Sequence, residues 1–103
     1  MSEVFQALGD PTRREVLRLL RAKAMSAGEI AEHFTIAKST LSGHLATLRH
    51  ARLVVSERQG TTIVYSLNLS VAEETMAAVI ELLGAKRRRR AQASPIRLRR
   101  RPA

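Results

Sequence analysis

The sequence contains no cysteine and no tryptophan, and aromatic residues make up only 3% of its 103 positions. Without cysteine there is neither a disulfide framework nor a thiolate metal site, which agrees with a reducing compartment and points to a cytoplasmic protein. Long apolar runs are missing too: nothing approaches the ~20 residues that a membrane span requires, and the acidic, polar start MSEVFQALGDP has no secretory pattern. No integral membrane segment is expected. Also absent are a glycine-rich phosphate loop, an activated nucleophile and a carboxylate dyad, so an enzyme and a bound cofactor are both excluded from the reading. A chain of 103 residues with 45% hydrophobic content supplies the core of one modest domain.

The formal charge of +9 is unevenly placed. Residues 1–85 carry nine basic and nine acidic side chains and are neutral overall, while the nine remaining cations all lie between Lys86 and Arg101. Residues 1–85 therefore read as the folded domain. Residues 86–103, rich in Arg, Ala, Ser and Pro, cannot bury enough apolar surface to offset their ordering entropy, and are expected to form a disordered basic tail. Any binding of nucleic acid by the domain itself must come from where its charges sit.

Along the domain, Val4, Phe5 and Leu8 suggest a short first helix ending at Gly9. Asp10 as N-cap and Pro11 at the first helical position open a second, over about residues 11–23, with Val16, Leu17 and Leu20 inward and Arg13, Arg14, Arg18 and Arg21 largely outward. Ser26 followed by Glu29 is a capping box for a third helix running to His33, with Phe34 anchoring its end. Thr35-Ile36-Ala37 then turns into a fourth helix, a helix-turn-helix arrangement. Two β-rich runs, Leu53–Arg58 and Thr61–Leu67, flank Gln59-Gly60 and form a hairpin. A second capping box, Ser70 with Glu73, opens a last helix whose apolar positions Ala72, Met76, Val79, Ile80 and Leu83 keep helical spacing, and Gly84 ends it. The order α-α-α-α-β-β-α is that of a mainly α (α+β) winged helix-turn-helix.

The fourth helix is the most informative element. Leu41, Leu45 and Leu48 share one face, and the opposite face carries Ser39, Gly43, Ala46 and His50, flanked by Thr40, Ser42 and Thr47. Small polar side chains let a helix backbone sit deep in a DNA major groove, but the same face also suits an ordinary solvated helix.

The stretches FQALGDPTRREVLRLL, GEIAEHF, KSTLSGHLATLRHARLV and RQGTTIVYSL resemble the ArsR-type winged-helix transcriptional repressors, and within them the SdpR-like autorepressor branch that lacks metal-sensing residues. The resemblance covers about residues 3–84. It implies a homodimer, with the first and last helices at the interface (Val4, Phe5, Leu8, Met76, Val79, Ile80, Leu83) and the fourth helix reading an inverted repeat in double-stranded DNA. The apolar surface of those two helices supports this independently, since it exceeds what one small core covers, and each such side chain buried at an interface is worth ~1.5–3 kcal/mol before association costs. In that branch relief of repression can come from sequestration by a membrane partner. No residue here marks an inducer site, whether for a small molecule or a protein.

Matched positions place Lys38, Ser39, Thr40, Ser42 and Gly43 at the DNA, with Gly43 departing from the larger polar residue common in relatives. His44 lies about 60° from the apolar centre and favours a structural hydrogen bond or a phosphate over base reading; Thr47 flanks the polar face. In the wing, Arg58 reaches a phosphate or a narrow minor groove, and Gln59, Thr61 and Thr62 offer neutral contacts. Arg13 and Arg14 suit phosphate clamps, or packing against Glu residues or a partner subunit. No metal is expected: Glu29–His33 lacks the family's thiolates, Ser70–Leu83 has no His, and His33, His44 and His50 show no paired ligand spacing. Two rivals remain, a winged helix used as a protein-interaction module and a non-specific DNA binder driven by the tail.

Overall fold

The computed structural model describes residues 1–84; residue 85, where the expected domain boundary falls, and the basic tail lie outside the described residues. Residues 1–72 form one compact unit, and the second unit begins at Glu73.

Helix α1 spans Ser2–Leu8 and stops at Gly9, whose N–H donates to the Gln6 carbonyl. Asp10 is extended, and its Oδ2 accepts the Arg13 N–H at 3.0 Å, so that α2 (Pro11–Ala22) starts with the cap and proline the sequence announces. That same N–H holds the Asp10 carboxyl below the usual carboxylate range, against a smaller opposing effect of burial. Strand β1 (Met25–Ser26) follows, then α3 (Ala27–Ala31), α4 (Lys38–His50), β2 (Val54–Gln59), β3 (Thr62–Leu67) and α5 (Leu69–Leu83).

Four details differ from the sequence reading. A third strand exists: β1 pairs antiparallel with β3 through Met25↔Tyr65 and Ser26↔Val64, and the sheet order is β1-β3-β2. Two residues are too few to show a strand's alternation, and Ser26 doubles as the cap of α3, accepting the Glu29 N–H at 3.1 Å while its own N–H donates to Glu29 Oε1 at 2.8 Å. Helix α3 ends at Ala31 rather than His33, and half-buried Phe34 packs on the core beyond it. The hairpin loop is Gly60-Thr61 rather than Gln59-Gly60, since Gln59 pairs with Thr62. Gly60, with φ 66, holds the first central position, where a type II′ turn requires glycine. Lastly, Asn68 Oδ1 accepts the Val71 N–H at 3.4 Å and the Asn68 carbonyl accepts from Ala72, so the cap of α5 is Asn68, two residues before Ser70. Gly84 (φ 69) ends it as expected.

The core of the first unit joins Val4 and Ala7 of α1, Val16 and Leu20 of α2, Met25, Ile30, the α4 leucines, Ala51, Leu53 and Val54. Ile30, Leu48, Val16 and Val54 are its fully buried centre. Because α4 contributes Leu41, Leu45 and Leu48 to that core, its other face points outward.

Candidate nucleic-acid interface

The outward face of α4 is built as its residue types suggest. Lys38, Ser39, Thr40, Ser42 and Gly43 are all exposed on its first half, and Ala37 before them offers no side-chain cap to the first N–H groups. A Cβ added at Gly43 would meet nothing within 4 Å, so the fold itself does not require glycine there. Glycine inside a helix costs about 1 kcal/mol relative to alanine. Gly43→Ala is therefore expected to raise stability by about that amount while weakening DNA binding, because the new methyl stands where a groove would close on the backbone. Thermal melting beside titration of a selected duplex checks both halves; a stabilised variant with unchanged affinity removes close approach as the reason for Gly43.

Two other positions on α4 are occupied by the fold. Thr47 Oγ1 donates to the Gly43 carbonyl at 3.0 Å, one turn back, which leaves its methyl and lone pairs for any contact outside. His44 is only 17% exposed, and its Nδ1 lies 3.1 Å from Arg13 Nη1. A guanidinium only donates, so Nδ1 is the accepting nitrogen and the ring hydrogen sits on Nε2. Asp10 Oδ2, at 3.9 Å from the same nitrogen, is too far for a hydrogen bond. His44 thus takes the structural role rather than pointing straight out.

In the fold, Arg13 and Arg14 are held by backbone carbonyls, and neither pairs with a Glu among the described residues. Arg13 Nε donates to the Ala7 carbonyl at 2.8 Å and Nη2 to that of Gln6 at 3.2 Å, while Arg14 Nη1 donates to the Leu8 carbonyl at 2.8 Å. The two arginines supply donors to the last carbonyls of α1: those of Ala7 and Leu8, and that of Gln6 beside the Gly9 N–H. The Asp10–Arg13–His44 group ties the α1–α2 corner to α4, and it escaped the sequence because nothing local links residue 13 to residue 44.

In the wing, Arg58, Gln59 and Thr61 are exposed, and Arg58 makes no ion pair among the described residues. Of the residues expected at a dimer interface, Val4 is 6% exposed and spent on the core. Leu8, Val79 and Ile80 are half-buried, whereas Phe5 (39%), Met76 (64%) and Leu83 (61%) are exposed, together with Leu82 (74%), which the helical spacing had passed over. Among the described residues no three His, Asp or Glu side chains converge, and no helix is long and apolar enough to cross a membrane.

Comparison with known proteins agrees with this geometry. The family described as "Bacterial regulatory protein, arsR family" matches residues 10–56. The chain is 46% identical over 76 residues to the transcriptional repressor SdpR of Bacillus subtilis (strain 168), covering 74% of this chain and 84% of that one. It is 35% identical over 68 residues to the arsenical resistance operon repressor of Staphylococcus xylosus, covering 66% of this chain and 65% of that one. Among solved structures, an ArsR-like transcriptional regulator from Rhodococcus sp. RHA1 superposes with a TM-score of 0.73 at 33% identity, covering 89% and 86% of the two chains. NolR from Sinorhizobium fredii does so with a TM-score of 0.64 at 30% identity, covering 81% and 83%. SdpR, the arsenical resistance repressor and the Rhodococcus protein are regulators, not enzymes, and with its winged helix-turn-helix and its matched sequence the chain belongs to the ArsR family of DNA-binding transcriptional regulators.

Proposed function

We propose that the protein is a homodimeric repressor that reads an inverted-repeat operator through the first half of α4 and steadies itself with the wing. The observation that carries this reading is the exposed set Lys38, Ser39, Thr40, Ser42 and Gly43, polar or small and backed by three buried leucines. A protein-docking face would more often present aromatic or aliphatic anchors, and this one presents none. Exposed Phe5, Met76 and Leu83 favour a second copy as the partner that covers them, each worth ~1.5–3 kcal/mol on burial before association costs. The similar SdpR protein is itself described as a transcriptional repressor. In this reading the Arg-rich tail adds affinity without choosing sequence.

Selection from random duplexes, with sedimentation of the free protein and of the complex, tests the proposal. The expected result is a dimer on a palindrome whose half-sites are about one helical turn, ~34 Å, apart. Equal affinity for selected and random duplex would replace it with the tail-driven, non-specific reading. A monomer on an asymmetric site would remove the two-fold arrangement.

A further inference from the structure

The end of α4 carries a backbone conformation that its residue does not favour. Arg52 has φ 65, and it is the only non-glycine with positive φ among the described residues. Its N–H donates to the Arg49 carbonyl at 2.9 Å, and the next N–H, of Leu53, donates to the Leu48 carbonyl at 3.0 Å. Together these are the paired bonds of a Schellman ending, whose left-handed position glycine takes without penalty and a residue with a Cβ takes under strain. The local fold therefore gains nothing from arginine at this position. Nor does the side chain repay the strain inside the molecule: the guanidiniums of Arg52 and Arg49 make no hydrogen bond or ion pair among the described residues.

Both arginines line an open polar groove of about 900 Å³, in which His50 and Thr47 of α4 face Glu3 and Gln6 of α1. The acid in that lining, Glu3, lies 3.7 Å from His50 and makes no ion pair with either arginine among the described residues. The groove is also the continuation of the reading face. At 100° per residue, Ser42, Ala46 and Arg49 form one outward stripe of α4, and Gly43, Thr47 and His50 the stripe beside it. A helix of 13 residues is about 20 Å long, against a major groove about 12 Å wide. When the first turn reads bases, the last turn reaches the phosphates at the rim.

We propose that Arg52, with Arg49 beside it, clamps the DNA phosphate backbone at the rim of the groove that the first half of α4 reads. The clamp rests on the DNA-reading role of α4 given above. Its backbone strain is retained for an anion outside the fold, and it contributes affinity and register without sequence choice.

The test uses the full chain and Arg52→Gly and Arg52→Lys variants, titrated with the selected duplex and with a random one across salt concentrations, with melting and sedimentation alongside. Arg52→Gly is expected to melt a few degrees higher, to bind both duplexes about three- to tenfold more weakly, and to flatten the slope of log affinity against log salt by about 0.9. Arg52→Lys, which keeps the charge, is expected to keep the slope. Unchanged affinity and slope in Arg52→Gly would overturn the clamp, and so would a loss confined to the selected duplex. Loss of the dimer at constant slope would overturn it in favour of a subunit contact. A wild-type chain that binds neither duplex would instead overturn the DNA reading itself, and the clamp with it.

Discussion

Ser42→Glu is expected to lower affinity for the selected operator by about 100-fold or more while leaving the melting temperature unchanged or slightly raised. Ser42 is exposed on α4, and glutamate is a better helix former than serine, so the fold loses nothing. The carboxylate, however, stands on the face that the proposed reading turns toward a polyanion. It also stands four residues after Lys38, within reach of an ion pair along the helix that takes the first cation of the reading face away from DNA. One lost base contact accounts for about 1–3 kcal/mol, and repulsion from phosphates adds to it. Ser42→Ala, which removes only the hydroxyl, is expected to cost about tenfold and so separates lost contact from added charge. Titration with the selected duplex decides the matter, and wild-type affinity in Ser42→Glu would take Ser42, and the outward face with it, out of the contact set.

How much of this was legible before the structure depends on how local each determinant is. The α4 face was readable because Leu41, Leu45 and Leu48 set its orientation within one helix, and all three are buried as the spacing requires. The start of α2 was readable because Asp10, Pro11 and the Arg13 N–H lie within four residues of each other. β1 was not, because a two-residue strand is defined only by its partner forty residues later, Tyr65 and Val64. At α5 two caps competed, Asn68 ahead of Val71 and Ser70 ahead of Glu73. Sequence preference alone does not choose between them; β3 ends at Leu67, so Asn68 is the first side chain free to cap. Arg13 and Val4 show the same limit from the other side. For Arg13 the residue type leaves a phosphate, a Glu or a partner subunit open, and for Val4 the resemblance implies a partner; in each case an element packed nearby claims the side chain first.

That claim gives Arg13 more side-chain partners than any other cation among the described residues, and Arg13→Ala is expected to destabilise the protein by about 2–3 kcal/mol. The substitution keeps the backbone N–H that Asp10 accepts, so the α2 cap survives. What it strips is the guanidinium from three acceptors at once: the carbonyls of Ala7 and Gln6 and the Nδ1 of His44. An acceptor left partly buried without its donor costs about 1–3 kcal/mol, and the more exposed Gln6 carbonyl, which water reaches, costs least. Lysine has no planar fork to span these groups, so Arg13→Lys recovers less than half of the loss. Combined with His44→Ala in a double-mutant cycle, Arg13→Ala is expected to show a coupling of about 1 kcal/mol. Denaturant unfolding measures both, and an Arg13→Ala stability within about 0.5 kcal/mol of wild type would sink the structural reading. DNA titration separates it from a phosphate contact as well. A corner that holds α4 in place changes affinity through the helix it positions and leaves the salt slope as it was, whereas a lost phosphate contact at Arg13 would flatten that slope by about 0.9.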